Sequence, residues 1–149
     1  MERVTYSNFD IEVLQSIERI TSMTTDFRID AIGQIHITVE DLPRAVEFYR
    51  DVLGMTPLFE VPEQSMAFFE CGGIRLYLGK AEKPQFRSNP MIYYRVELIQ
   101  DAYEALSQRG VEFSTKPHLI HKTKTSELWM AGFRDSEGNI VNLMSEVSV

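Results

Sequence analysis

The stretch GQIHITVEDLPRAVEFYRDVLG, running from Gly33 to Gly54, decides the fold. Ile35, Ile37 and Val39 alternate with Gln34, His36 and Thr38, the two-residue period of a half-buried strand. The period then becomes helical. Leu42, Ala45, Val46, Tyr49 and Leu53 form an apolar stripe, Asp41 is placed to cap it, Pro43 suits the first turn and Gly54 ends it. A strand feeding directly into a helix of this kind calls for a sheet with the helix laid on one face.

Three strands are expected next, over Thr56–Val61, Met66–Glu70 and Ile74–Leu78, with Gly72 and Gly73 turning between the last two. The same order then returns. Met91–Val96 predicts a strand, and Ile99–Gln108 a helix with Ala102, Tyr103 and Leu106 inward and Gly110 at its end. Further strands fall near Val111–Ser114, Glu127–Phe133 and Asn139–Met144. Val39 matches Val96, Leu42 matches Ile99, Ala45 matches Ala102 and Gly54 matches Gly110. RDVLGM is echoed by SQRGV, and CGGIRLYL by SEGNIVNL. The implied domain, residues 31–147, consists of two βαβββ modules, 31–80 and 89–147. Each is too small to bury its own sheet face, so the two should pair. The expected fold is α+β, a curved mixed sheet with a concave cavity and the helices on the outer face. Residues 1–30 form an N-terminal helical extension and linker. There Asp10 can cap a helix carrying Val13, Leu14, Ile17 and Ile20, and TSMTTD from Thr21 supplies the linker.

Charge and composition remove several classes of function. A net charge of −7 argues against nucleic acid, whose phosphates need a lysine and arginine surface, and the short HKTKT run at His121 does not reverse that. No apolar run approaches the roughly 18 residues needed to span a bilayer. The first residues lack the basic stretch and apolar core of a secretory signal. Cys71 is the single cysteine, which excludes an internal disulfide and multi-cysteine zinc sites. A cytoplasmic protein is expected, with neither nucleic acid nor membrane as partner.

HITVEDLPRAVEFYRDVLGM, RGVEF and FRDSEGNIVNLMSE together resemble the vicinal oxygen chelate superfamily, which includes glyoxalase I, bleomycin-resistance proteins, fosfomycin-resistance enzymes and extradiol dioxygenases. The resemblance covers Ile32 to Val147. It implies a concave face on which members that use a metal hold it with four side chains, usually His, Gln or Glu, from the first and last strand of each module. It also implies association into a homodimer, for which exposed sheet edges give a physical reason. Carried over position by position, the ligand positions fall on Gln34, Tyr77, Met91 and Asn142. That set offers no carboxylate and no imidazole. Met91 is a soft thioether, and Tyr77 would have to lose a proton whose reference pKa is about 10. No metal and no other cofactor are therefore expected.

His36 shares the predicted face with Gln34, and its role stays open. It can be a neutral imidazole filling a pocket, a ligand contact, a general acid or base, or a metal ligand. Glu70 is the one carboxylate that can share its groove. Tyr93, Arg75 and Arg95 should project onto the same concave face, the arginines suited to a carboxylate or phosphate. Among Trp129, Phe133, Phe68 and Phe69, Trp129 is the expected stacking wall for a planar ligand. His118 and His121, with Lys122 and Lys124, are placed in a long loop, KPHLIHKTKTSELW, at the cavity rim. Cys71 reads as an inert thiol and DSEG, from Asp135, as a hairpin turn. The expected function is binding of a small organic molecule in a groove without metal. A metal-dependent lyase or isomerase of glyoxalase type, with His36 as acid or base, is the alternative.

Overall fold

The computed structural model describes residues 8–25 and 28–149. The chain divides into two compact units, one ending at Ala31 and the other Ile32–Val149. The first holds one helix, α1 (Asn8–Thr25). It begins two residues before Asp10, which lies in its first turn rather than at its cap. It continues through Thr25, where a linker is expected. Asp26 lies outside the described residues. Among the described residues, no helix is long and apolar enough to cross a membrane.

The second unit contains the two expected βαβββ modules. The first has β1 (Gln34–Thr38), α2 (Leu42–Glu47), β2 (Thr56–Val61), β3 (Met66–Cys71) and β4 (Ile74–Gly79). The second has β5 (Ile92–Arg95), α3 (Ile99–Gln108), β6 (Phe113–Lys122), β7 (Ser126–Arg134) and β8 (Ile140–Ser148). Each module forms a four-stranded mixed sheet, in the orders β1-β4-β3-β2 and β5-β8-β7-β6. In each, the first strand runs parallel to the last and the remaining pairs are antiparallel.

α2 starts where the sequence places it, with Asp41 Oδ1 accepting from the Arg44 backbone N–H at 3.0 Å. It ends differently. Over Phe48–Val52 the coil widens by one residue, and the Leu53 N–H reaches back to the Phe48 carbonyl at 3.0 Å. Gly54 then takes φ +72°, a left-handed turn that redirects the chain into β2 at little cost for glycine.

The core consists of two clusters that interlock. Ile37, Leu76, Leu78, Ala67 and Phe69 on the first sheet meet Ala45, Val46 and Tyr49 on the first module's helix. Ala131, Phe133, Val141 and Leu143 on the second sheet meet Ile99 and Leu106. Ile92 and Tyr94 of the second module pack onto the first cluster, while Phe48, Val52 and Leu53 pack onto the second. Tyr49, Phe69 and Phe133 are each 1% exposed, so each contributes roughly 1.5–3 kcal/mol of apolar burial.

The DSEG turn joins the modules. Buried Asp135 accepts hydrogen bonds from the Tyr49 hydroxyl (2.9 Å), from the backbone N–H groups of Glu137 and Asn139 (2.9 and 2.8 Å), and from Asn139 Nδ2 (2.9 Å). Glu137, with its side chain 1% exposed, crosses to the start of α2. Its Oε1 accepts from the backbone N–H groups of Glu40 (2.9 Å) and Asp41 (2.7 Å), and its Oε2 from Arg44 Nε (2.7 Å). Asn139 Nδ2 also donates to the Thr38 carbonyl at 3.2 Å. DSEG is the hairpin turn between β7 and β8 that the sequence implies, and it also clasps the two halves of the domain.

β6 also departs from expectation. KPHLIHKTKTSELW is not a long loop, because β6 runs to Lys122 and β7 begins at Ser126. Three register shifts, after Phe113, Thr115 and Leu119, repeatedly reverse which face the side chains take. His118 and His121 therefore lie on an edge strand opposite Met130 and Leu128.

Candidate functional site

The helices and both apolar clusters cover one face of each sheet, and the chemistry lies on the other. On the first sheet, alternation places His36, Tyr77 and Phe68 there, since their neighbours Ile37, Leu76, Leu78 and Phe69 are core. Strand register brings them onto one rung. His36 is opposite Tyr77, Tyr77 opposite Phe68, and Phe68 opposite Phe59. The four rings stand parallel like plates. His36 to Tyr77 is 4.3 Å between centroids at 18°, Tyr77 to Phe68 is 5.0 Å at 17°, and Phe68 to Phe59 is 4.4 Å at 25°. These spacings match the separation of neighbouring strands, so the sheet itself sets the stack. The Arg75 guanidinium lies 5.9 Å from the Phe68 ring centroid.

Gly79 makes this possible. A Cβ there would come within 2.5 Å of Tyr77 Cε2 and 2.6 Å of its hydroxyl, so the ring occupies the space a side chain would take. The Gly79 carbonyl also lies 3.3 Å from His36 Nε2. A carbonyl only accepts, so this long hydrogen bond places the imidazole proton on Nε2 and leaves Nδ1 as an acceptor. Burial, with the nearby charge of Glu82 adding to it, pushes the Tyr77 phenol above its ordinary value.

Among the described residues His36 gains no acidic partner. Glu70 is on the same face, opposite Arg75, but its Oε1 turns back to accept from the Gly73 backbone N–H at 2.6 Å. It caps the hairpin rather than orienting an imidazole. Gln34 is exposed at the start of β1, also opposite Arg75.

On the second sheet the corresponding rung is small and polar. Tyr93 is opposite Asn142, and Asn142 opposite Gly132. Asn142 Nδ2 is buried without a hydrogen-bond partner among the described residues, an orphan donor, while Oδ1 lies 3.2 Å from where a Cβ on Gly132 would be. The Tyr93 hydroxyl is 3.3 Å from the sulfur of Met91, which is 57% exposed. Tyr93 and Arg95 line a hollow of about 600 Å3 with Met144 and Glu146.

Trp129 is not on this face. It is opposite Ser145, has the same parity as the core residues Ala131 and Phe133, and packs on the second cluster near α3. Its indole N–H donates to Glu127 Oε2 at 3.1 Å. The expected stacking wall is thus Phe68, Tyr77 and His36, with Phe59, which sequence reading missed. Phe59 lies beyond an irregularity between Pro57 and Phe59 that breaks the alternation of β2. Cys71 fits its inert reading, since burial and then Glu70 push its thiol upward.

The four positions that the resemblance assigns to metal ligands are poorly suited to a divalent ion. Tyr77 is sandwiched between His36 and Phe68 with its proton held more tightly than usual, and Gln34 stands against Arg75. Met91 and Asn142 add a thioether and an amide. Among the described residues, no three His, Cys, Asp or Glu side chains cluster.

Comparison with known proteins agrees with this architecture. The protein-family model of the Glyoxalase/Bleomycin resistance protein/Dioxygenase superfamily matches residues 31–143. The uncharacterized protein YraH of Bacillus subtilis is 28% identical over 123 residues, covering 74% of this chain and 94% of that one. Among solved structures, virulence protein STM3117 of Salmonella typhimurium superposes with a TM-score of 0.65 at 22% identity, covering 81% of this chain and 100% of that chain. Lactoylglutathione lyase from Agrobacterium tumefaciens gives 0.62 at 22% identity, covering 80% and 96%. The chain therefore belongs to the glyoxalase/bleomycin resistance protein/dioxygenase superfamily.

Proposed function

We propose that this protein binds a small, planar organic molecule without a metal, on the helix-free faces of its two sheets. The observation that carries this reading is the aromatic stack. Tyr77, at a position where metal-using members of the superfamily place a ligand, is instead the second plate of a four-ring array. The plates shield one another, so the open π-faces are those at the ends, on His36 and Phe59. A planar ligand adds to the array as a further plate against His36. Gln34, Tyr93, Arg95 and the orphan amide of Asn142 provide the polar contacts that orient it, and exposed Met91 flanks Tyr93. The protein acts in the cytoplasm as a homodimer, its edge strands β2 and β6 offering pairing surfaces.

The alternative, a lyase or isomerase with His36 as base, draws on the unbonded Nδ1 of that residue. It lacks a carboxylate to orient the imidazole. Two measurements separate them. Metal analysis of the purified protein is expected to find less than a tenth of an equivalent of nickel, zinc or iron, roughly the background for a protein whose stability does not depend on metal. A thermal-shift panel of fused-ring aromatics, with quinoline and indole as first probes, is expected to raise the melting point with concentration, and His36→Ala to abolish the rise. One bound metal whose removal by chelator lowers the melting point would overturn the reading.

A further inference from the structure

A second cavity lies on the helix side of the sheets, where the modules meet, apart from the aromatic array. Its volume is about 330 Å3, and it is open to solvent on one side. Met55 and Cys71 of the first module wall it on one side, and Tyr94, Ala105 and Leu106 of the second on the other. Among the described residues no acidic side chain lines it, and the charged residues at its wall are Arg95 and Arg109. Neither arginine makes an ion pair among the described residues. Arg109 Nη1 donates to the Val52 carbonyl at 2.7 Å, which fixes the guanidinium beside the first module and leaves its remaining N–H groups for another acceptor. Arg95, on the edge strand β5, alternates with the core residues Ile92 and Tyr94, so it borders the cavity through its backbone end while its side chain turns to the helix-free face with Tyr93.

An apolar chamber with the Arg109 guanidinium at its wall complements an amphiphile with one negative end. Its volume falls within the range of small-molecule pockets, roughly 300–1,000 Å3. A guanidinium offers two parallel N–H donors to a carboxylate, and the apolar walls gain by excluding water from a hydrocarbon body. We propose that this cavity binds a monocarboxylate with a short aliphatic or single-ring body, its carboxylate held by Arg109. This assignment does not rest on the groove reading, because none of the four stacked rings lines the cavity.

The single cysteine supplies the readout. Cys71 lines the cavity, so its alkylation by uncharged iodoacetamide reports occupancy directly. Octanoate, titrated against the full chain, is expected to slow alkylation saturably. Octan-1-ol, with the same chain and no charge, should protect about tenfold less well, the loss expected when charge-assisted hydrogen bonds are removed. Arg109→Gln should erase that preference, and Ala105→Leu, which narrows the chamber, should abolish protection by both. Equal protection by acid and alcohol, or none by octanoate, would overturn the proposal. So would protection that grows with protein concentration alone, since a second copy would then be the occupant.

Discussion

Glu137→Gln tests the clasp between the modules most directly. The native carboxylate is 1% exposed and holds the backbone N–H groups of Glu40 and Asp41 at 2.9 and 2.7 Å. Glutamine keeps an oxygen for those donors but removes its charge. A hydrogen bond to a charged acceptor contributes about 1 kcal/mol more than a neutral one, so two such bonds set a loss of about 2 kcal/mol. The new amide also turns a donor toward Arg44. The pH dependence adds a second signature. Burial raises the Glu137 pKa, but the hydrogen bonds from Arg44 and from the Asp41 and Glu40 backbones outweigh it, so the folded value lies below the ordinary one. A depressed carboxylate pKa means that its stabilisation is complete above the unfolded value, about 4.3, and is lost as pH falls through the folded value. Urea unfolding at pH 7 and at a series of pH values below 5 should therefore show the variant about 2 kcal/mol less stable at neutrality, the gap closing as the solution is acidified. A loss under about 0.5 kcal/mol at pH 7, or a gap independent of pH, would refute the reasoning.

Three further outcomes follow from named contacts. Gly79→Ala places a methyl against the Tyr77 ring and should expel it, removing two stacked pairs at about 0.5–1.5 kcal/mol each; urea midpoints and the near-ultraviolet tyrosine signal would record it. Tyr49→Phe deletes one donor to buried Asp135, which keeps three others, and should cost roughly 1.5 kcal/mol by the same unfolding measurement. Asn142→Leu removes an orphan buried amide and should leave stability unchanged or higher by about 1 kcal/mol, while weakening any groove ligand that carries an acceptor, as calorimetry would show.

Both helices of the domain and the order of its strands are written in the sequence because alternation and helical spacing are clean there. Ile35, Ile37 and Val39 announce β1 without ambiguity, and Gly54 and Gly110 mark the helix ends. β6 is illegible for a physical reason: its three register shifts destroy the two-residue period, and Pro117, His118 and His121 then look like loop. Trp129 reads as a groove residue because aromatic size carries no facing information; its parity with Ala131 and Phe133 puts it on the core face. Alternation alone puts His36, Tyr77 and Phe68 on one face, but that they share a rung depends on pairing between β1 and β4, 36 residues apart at the nearest ends of the strands. The clasp residues Asp135, Glu137 and Asn139 are equally invisible, since their partners lie more than 80 residues away in the chain.

The placement of Trp129 matters for anyone screening compounds. The chain has a single indole, bonded to Glu127 and tucked toward α3, so its fluorescence reports the interior of the second half. Emission from that fluorophore will track unfolding faithfully and stay nearly silent when something docks beside His36. Tyrosine absorbance, or ring-proton shifts of Tyr77, is the channel that sees the groove.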